Sequence, residues 1–379
     1  MERPPHYDFR DVLWAPGKAL SPKKIAVMTG FLLLALAVYD LFCYLALAAQ
    51  GENLSYVWNV YGFFPLQLFP LDSPIALGAY ALGLVAGILC LMMGFLGVAV
   101  INFEEMRGYP FTSITTAIKF AFRRAGQLFL SELTIGLFVL FVVLLYALLG
   151  LVSRIPFIGE WIYALGFAFP GFLIAALVIV VGLVAQVSIL LMPAAAAANK
   201  TGETFDAILE TFSTAVRQPA RWMSYTVYSV VAAKVCGFVY AYFSFRAVQF
   251  MVWTSGIGGG RERLEGLVSG GLSHLPTNAD LVTQTFNIWP GVDWSFSISR
   301  WTWNTGSDAA VGYVMALMLF LIFASVWGYM LATLATAQAR GYVALRYIKD
   351  RYQIDQEDSQ FYTDEPINPP IEGQESTAE

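Results

Sequence analysis

The sequence predicts an all-α membrane protein: a bundle of about six transmembrane helices with amphipathic helices along its cytoplasmic side. Composition is the first observation, because 58% of the 379 residues are hydrophobic, only 13% are charged and the mean hydropathy is +0.61. A soluble domain carries about a quarter charged residues to cover its surface. Something other than water must cover much of this chain. Six apolar segments and an uneven placement of Lys and Arg indicate that lipid covers this surface.

Six segments are apolar enough to cross a bilayer, which takes about 20 predominantly apolar residues in a helix. They are residues 25–49, 74–101, 133–153, 168–195, 223–250 and 311–337. The fifth segment is the least typical, since it contains Lys234 and Arg246. The first follows a polar, proline-containing stretch and is long enough to span, so we expect a retained helix and not a cleaved signal peptide. Together the segments predict a membrane domain over residues 25–350.

The placement of Lys and Arg predicts that both termini are cytoplasmic. With the N-terminus inside, sixteen basic residues lie on the cytoplasmic side and four on the opposite side. The cytoplasmic ones are Arg3, Arg10, Lys18, Lys23, Lys24, Arg107, Lys119, Arg123, Arg124, Lys200, Arg217, Arg221, Arg340, Arg346, Lys349 and Arg351. The other four are Arg154, Arg261, Arg263 and Arg300. An even number of helices then returns the C-terminus to the cytoplasm, and we expect the cell membrane as the location.

The segments outside the six helices differ in character. Residues 1–24 form a cytoplasmic N-terminal segment, and residues 351–379 form an acid-rich tail that we expect to be disordered in the cytoplasm. Residues 254–310 form the largest outer loop, where tryptophans near the end indicate the membrane–water boundary. Residues 102–130 and 196–222 are amphipathic with basic faces, which favours interfacial helices on the anionic cytoplasmic leaflet.

A faint internal repeat relates these two amphipathic stretches at an offset of 94 residues. Gly108, Phe111, Ile114, Ala121 and Arg123 match Gly202, Phe205, Ile208, Ala215 and Arg217. Arg340-Gly341-Tyr342 also echoes Arg107-Gly108-Tyr109. Because helix, amphipathic stretch and helix recur in the same order and orientation, the repeat would be parallel and not inverted.

Asp40 and Lys234 are ionisable residues inside apolar segments, at depths that would let them pair if their helices were neighbours. At about 1.5 Å per residue, Asp40 lies roughly 22 Å from the start of its segment and Lys234 roughly 16 Å. A lone charge at such a depth costs at least about 2.5–3.5 kcal/mol on insertion scales. Two interpretations stay open: a proton, ion or substrate path, or a structural role. The structural role is an ion pair between helices, or a Lys234 side chain that reaches the headgroups.

Other polar and small residues suggest packing roles. Gln186 in the fourth segment is a candidate for lining a polar path, and an interhelical hydrogen bond is the alternative. Gly83 and Gly87 have the small-xxx-small spacing that favours close approach of two helices. Glu104 and Glu105 lie at the cytoplasmic boundary, where we expect acidic residues to be solvated.

The sequence offers little for catalysis, cofactor binding or metal binding. His6 and His274 are its histidines, and Cys43, Cys90 and Cys236 lie far apart within apolar segments. No HExxH, paired-cysteine, GxSxG or dinucleotide-binding motif occurs, so we expect no catalytic, cofactor-binding or metal-binding residues. The net charge of −5 also argues against a nucleic-acid partner, which calls for a concentrated basic surface.

The end of the fourth segment begins a motif that can be compared with other membrane proteins. A Pro-Ala-rich helix end at Pro193–Ala198 precedes Gly202, Phe205, Arg217 and Pro219. This order resembles multi-pass membrane proteins of bacteria whose function is uncharacterised, including those similar to the membrane domain of some glycerophosphodiester phosphodiesterases. The resemblance covers about residues 74–350. It implies a helical bundle in a bacterial inner membrane and carries over no catalytic residue.

The sequence supports two hypotheses about function. The first is a non-enzymatic scaffold or a subunit of a membrane complex, with the lipid bilayer and other membrane protein subunits as partners. The second is a transporter or permease for a small or lipid-like molecule, with Asp40 and Lys234 in its path. An intramembrane enzyme would need a convergent cluster of polar groups, which the sequence does not locate.

Overall fold

A computed structural model describes residues 5–63, 65, 71–152, 154–156, 158–166, 171–199, 202–258, 266–268, 271 and 306–361. These residues are largely helical and include no β-strand, which confirms the all-α fold class. In chain order the helices are α1 (Phe9–Leu13), α2 (Ala15–Ala19), α3 (Pro22–Gln50), α4 (Leu54–Tyr61), α5 (Pro74–Met106), α6 (Ile114–Val152), α7 (Ile158–Gly166), α8 (Phe172–Ala198), α9 (Thr204–Arg217), α10 (Pro219–Gly256) and α11 (Gly306–Asp350). A 3₁₀ turn, Ile354–Gln356, follows α11.

Proline and glycine set the ends of several helices. Pro22, Pro74 and Pro219 occupy the first turn of α3, α5 and α10. The missing N–H of proline does no harm there, because that N–H would have no partner within the helix. α3 ends at Gln50, and Gly51 caps it with a φ of 88°, which lies in the left-handed region that glycine adopts without strain.

Five helices are long and apolar enough to cross a membrane: α3, α5, α6, α10 and α11. They coincide with five of the six predicted segments. The remaining segment, 168–195, falls mostly on the 27-residue α8. Residues 168–170 and the side chains of residues 183–188 lie outside the described part of the structure. At about 1.5 Å per residue, the 45-residue α11 is about 67 Å long, against a hydrocarbon layer of about 30 Å. Its ends therefore extend beyond any bilayer that it crosses.

The bundle is densest at one end, formed by residues 92–106 of α5, 191–198 of α8 and 335–345 of α11. Every residue in these three stretches is buried. We refer to this region as the packed end. A helix that is buried on all sides lies at the centre of a bundle. In α5, 61% of the most apolar stretch is buried, against 12% in α6, so α5 is central and α6 is peripheral.

Away from the packed end, α6 presents large apolar side chains on most of its circumference. They are Leu137, Phe138, Leu140, Phe141, Val143, Leu144, Leu145, Leu148 and Leu151. A continuous apolar surface of this kind is rare on soluble monomers. It suits contact with lipid chains, in agreement with the apolar composition of the chain.

The close helix approach predicted from Gly83 and Gly87 occurs between α5 and α3. A Cβ atom on Gly83 would overlap the Cβ of Phe42, whereas one on Gly87 would lie 3.5 Å from the carbonyl oxygen of Ala35. Only the first position therefore requires glycine. The small side of α5 lets the two backbones approach, and α3 and α5 pack together along most of their lengths.

Part of the predicted repeat appears in the backbone. Gly108 and Gly202 both adopt positive φ angles, 93° and 79°, in the turns that follow α5 and α8. Three residues later, Phe111 and Phe205 are both exposed, by 91% and 67%. The third echo differs, because residues 340–342 lie inside the continuous helix α11.

The two amphipathic stretches differ in structure. Residues 196–222 contain a separate helix, α9, which buries small side chains on one face and exposes Phe205, Leu209 and Val216. Residues 102–130 form no separate helix, which corrects the prediction for that stretch. They divide between the end of α5 and the start of α6, because the apolar pattern of each spanning helix continues into the stretch and a turn at Gly108 joins them.

Residues 351–361 fold onto the packed end. Ile354 is fully buried, and the rings of Phe361 and Phe120 meet edge-on with 5.6 Å between their centroids. Gln360 Nε2 donates a 3.0 Å hydrogen bond to the carbonyl oxygen of Ala197. The expectation of a disordered tail is therefore wrong for residues 351–361, where apolar side chains lie between the acidic ones and find partners. Residues 362–379 lie outside the described part.

Candidate functional site at the packed end

The structure separates the two residues that the sequence placed at a shared depth. Asp40 is 7% exposed within α3, whereas Lys234 is exposed on α10. α3 packs chiefly against α5, and α10 packs chiefly against α11. The buried residues of α10 include Ala233 and Gly237, whereas Lys234 between them is exposed. Asp40 and Lys234 are thus not brought together.

Two other predicted features fall partly outside the description. The side chain of Gln186 in α8 is outside the described part of the structure. Most of the outer loop 254–310 is outside it as well, including the tryptophans near its end. The polar path predicted for Gln186 and the membrane–water boundary predicted for the loop tryptophans stay predictions.

A buried lysine, Lys24, connects the start of α3 to α2 and α5 through hydrogen bonds. The side chain of Lys24 has no exposure, and its Nζ donates hydrogen bonds to Asn102 Oδ1 at 2.8 Å and to Glu105 Oε2 at 2.6 Å. A third bond of 3.0 Å reaches the carbonyl oxygen of Lys18. Asn102 also donates to Thr336 Oγ1 at 3.1 Å, which ties α5 to α11. All three protons of the ammonium group therefore have acceptors, which a buried charge requires.

A second buried network joins α5 to the C-terminal segment. Arg107 Nη1 donates to Glu104 Oε1 and Nη2 donates to Glu357 Oε2, each at 2.8 Å. Glu104 is fully buried and also accepts a hydrogen bond from the hydroxyl of Ser359. Tyr352 donates to Glu357 at 2.9 Å. Residues 357–359 thus complete an ion-pair network that begins at the end of α5.

The titration behaviour of this network follows from its burial. Burial alone would lower the pKa of Arg107, but the hydrogen bonds to Glu357 and Glu104 raise it above its ordinary value. Burial, followed by the charge of Glu357, raises the pKa of Tyr352 to about 12. Both shifts move the pKa values further above neutral pH, where Arg107 is charged and Tyr352 is protonated in any case.

The described segment before α1, which begins at residue 5, joins the same region. The backbone N–H of Tyr7 donates to Asp11 Oδ2 at 2.7 Å, and its hydroxyl donates to Asp355. The ring of Tyr7 stacks on Tyr347 of α11 with 4.4 Å between centroids. Burial, followed by the hydrogen bond to Asp355, raises the pKa of the Tyr7 hydroxyl. The segment around Tyr7 is therefore held between the end of α11 and Asp355.

A third network links α9 to α11 and borders a cavity of about 590 Å³. Glu210 of α9 accepts a 2.9 Å hydrogen bond from Lys349 Nζ, and Arg346 Nε lies 3.3 Å from the same carboxylate oxygen. The lining residues are Ala195, Ala198, Asn199, Asp206, Leu209, Glu210, Ser213, Tyr342, Arg346 and Glu357. The cavity therefore lies between α8, α9, α11 and the C-terminal segment.

Sequence reasoning missed these networks because it treated the charged residues of the packed end as solvated. Glu104 has no exposure and Glu105 has 8%, which corrects the expectation for both. A signal was present in the sequence. The run from residue 91 to 101 is apolar on every face of the helix, so the next residues of α5 continue at the centre of the bundle.

Chemically, the site is a set of closed ion pairs beside one polar cavity. Among the described residues, no group of three or more His, Cys, Asp or Glu is placed to hold a metal ion. The charged groups of the three networks contact each other and the surrounding backbone, which suits holding helices together more than transferring protons. No family model, curated protein or solved structure matches the chain.

Proposed function

We propose that the protein is a non-enzymatic integral membrane protein that acts as a scaffold or as a subunit of a membrane complex. The observation that carries this proposal is the packed end. Three ion-pair networks there join α3, α5, α9, α11 and residues 351–361, and the hydrogen bond from the Tyr7 hydroxyl to Asp355 adds the segment before α1. Such an end is a rigid body that holds its surface in one shape, which is what an assembly partner needs.

The proposed membrane arrangement has six spans, with α8 as the sixth beside the five long apolar helices. The packed end faces the cytoplasm, since the basic residues that predict orientation gather there. α9 and the pair α1–α2 lie against the inner leaflet. Their exposed apolar side chains support this placement, since Trp14 and Phe205 are each 67% exposed. The resemblance to bacterial multi-pass proteins favours a bacterial inner membrane.

The transport hypothesis loses the feature on which it rested. It required Asp40 and Lys234 on one path through the membrane. Asp40 is buried between α3 and its neighbours, while Lys234 is exposed on the outer side of α10. Transport would have to use other groups, and the described residues offer closed ion pairs.

Cysteine accessibility tests the arrangement. In a variant with Cys43, Cys90 and Cys236 replaced by alanine, single cysteines are introduced at Asn53 and at Ser113. A membrane-impermeant maleimide should label Asn53→Cys in intact cells and Ser113→Cys only after permeabilisation. Labelling of both positions from outside would contradict the six-span arrangement with cytoplasmic termini.

Particle mass tests the role in assembly. The tagged protein is produced at its natural level and extracted with a lipid-retaining polymer, so that partners stay in place. Mass photometry should give particles heavier than the 41.8 kDa chain with its lipid, and a fixed partner should copurify at constant ratio. A lone chain in every particle would overturn the scaffold proposal. Flux of a solute through liposomes carrying the purified protein would favour transport instead.

A further inference from the structure

Arg246 is an exposed cation within α10, one of the five helices that are long and apolar enough to cross a membrane. Its Nη1 donates a 2.8 Å hydrogen bond to Gln249 Oε1, and its Cζ lies 5.2 Å from the ring centre of Tyr242. No carboxylate among the described residues pairs with it. A neutral amide occupies one of the donors of a guanidinium and does not neutralise its charge. The charge of Arg246 is therefore uncompensated within the described part of the chain.

The position of Arg246 along α10 places it inside the span and not at its end. The helix continues for ten residues beyond Arg246, to Gly256. Phe250, Met251 and Trp253 in this last part are 62%, 65% and 53% exposed, which suits contact with lipid. Tryptophan is typical of the membrane–water boundary, and Trp253 lies seven residues, or about 10 Å, beyond Arg246. The cation thus lies within the hydrocarbon layer.

The direction of the side chain argues against contact with headgroups beyond Trp253. α10 begins at the packed end, where Gln218 donates to the carbonyl oxygen of Leu345. Side chains of a helix lean towards its N-terminus. The guanidinium of Arg246 accordingly lies beside Tyr242, one turn closer to the packed end, and its outward hydrogen bond reaches only the next turn. A charge held at this depth needs an acidic partner at the same depth.

This acidic partner has to come from another protein. Asp40 is the one acidic residue in the six apolar segments, and it is 7% exposed. A second copy of the chain therefore offers no accessible carboxylate at this depth. A symmetric contact of two copies through this part of α10 would also bring two Arg246 guanidinium groups together. Lipid phosphates lie in the headgroup region, outside the hydrocarbon layer.

We propose that the surface of α10 around Arg246 binds a transmembrane helix of another membrane protein through an aspartate or glutamate in that helix. The inference rests on the proposed function, because it gives a partner in that membrane complex a position and a chemistry. Arg246 donates two parallel hydrogen bonds to the carboxylate, the arrangement that a guanidinium favours. Phe243 and Phe250, 68% and 62% exposed, offer apolar contacts beside it. Packing and hydrogen bonds of this kind hold helices together in lipid.

Association with model transmembrane peptides in liposomes tests the proposal. Three polyleucine helices are compared at a low peptide-to-lipid ratio. Each has a tryptophan near one end and, seven positions further in, an aspartate, a leucine or a lysine, which matches the spacing of Arg246 and Trp253. The full-length protein without its native cysteines carries a dye on Asn53→Cys, and energy transfer to a dye on the peptide gives the dissociation constant.

The aspartate peptide should bind about tenfold more tightly than the leucine peptide, and the lysine peptide no more tightly than the leucine peptide. Equal binding of the aspartate and leucine peptides would overturn the proposal. Arg246→Leu changes an exposed position and should abolish the preference. Lys234→Leu removes the other exposed cation of α10, so it is the matched control and should keep the preference in full. A preference that survives Arg246→Leu, or that disappears in Lys234→Leu, would contradict the assignment to Arg246.

Extraction at the natural expression level separates this inference from the proposed function. If a fixed partner copurifies equally with the unaltered protein and with Arg246→Leu, the protein is a subunit whose partner binds elsewhere, and the inference is wrong. Loss of the partner from Arg246→Leu but not from Lys234→Leu would support both. If the unaltered protein is a lone chain, the scaffold proposal fails, whereas the peptide preference still decides whether the surface around Arg246 selects a carboxylate.

Discussion

Replacing Lys24 with methionine removes a buried charge and keeps most of the side-chain volume. The change leaves Asn102 Oδ1 without the 2.8 Å donor and Glu105 without the 2.6 Å one. Glu105 keeps one partner, Lys23, whose Nζ lies 3.2 Å from its other oxygen. Because the Glu105 side chain is only 9% exposed, water compensates little for the lost lysine.

The magnitude follows from this geometry. Breaking a buried ion pair by removing one partner costs about 3–5 kcal/mol. We expect the lower part of that range, about 3 kcal/mol, since Lys23 still reaches Glu105. The double variant Lys24→Met with Glu105→Gln should recover most of the loss, because no uncompensated charge is then buried. Lys23→Met is the control: its side chain is 22% exposed, and we expect a loss below about 1 kcal/mol.

The assay is unfolding in mixed micelles of dodecyl maltoside and increasing SDS, followed by far-UV circular dichroism. The transition midpoint and slope give the free energy of unfolding for each variant, in analogy to denaturant titration. The reasoning fails if Lys24→Met and Lys23→Met unfold at the same SDS fraction. It also fails if the double variant is less stable than Lys24→Met, because the cost would then not come from an unpaired carboxylate.

Three further predictions concern other parts of the bundle. Gly83→Ala should lower the melting temperature in detergent through a loss of about 1–3 kcal/mol, while Gly87→Ala stays within about 1 kcal/mol; equal effects would contradict the close contact at the first position. Because burial raises the pKa of Tyr352 to about 12, its stabilising contribution is complete below about pH 10. It is lost as pH rises towards 12, and Tyr352→Phe should flatten that decline in a series of thermal-unfolding curves. Glu357→Gln should make tryptic cleavage after Arg351 about tenfold faster, since it weakens the contact that holds the C-terminal segment, and unchanged cleavage would show that other contacts hold it.

The fold class could be predicted because it depends on a property that each residue carries by itself. Apolar runs of sufficient length form helices in a bilayer wherever they lie in the bundle, so α3, α5 and α11 are visible in the sequence. The first predicted segment, residues 25–49, agrees with α3 (Pro22–Gln50) to within three residues at either end.

The candidate site could not be predicted in the same way, because it depends on which helices are neighbours. Lys234 lies deep within an apolar segment, yet its side chain is exposed, since α10 buries neighbouring residues such as Ala233 and Gly237 instead. Lys24 lies near the end of a segment, yet it is fully buried, since α2 covers it and α5 supplies its partners. Depth along a helix is a property of the sequence, whereas the direction in which a side chain faces is a property of the assembled bundle.

The basic residues beside the packed end can act in two steps, membrane insertion and folding. During insertion, positive charges beside a helix end determine its orientation, and acidic residues contribute little. Lys24, Arg107 and Lys349 are available for that role only before the bundle forms. In the folded protein, Glu105, Glu104 and Glu210 pair with them. The charge bias that predicts orientation is thus converted, on folding, into the ion pairs that lock the packed end. A variant that neutralises one of these residues should therefore affect folding stability more than orientation, because fifteen basic residues would remain on the side predicted to be cytoplasmic.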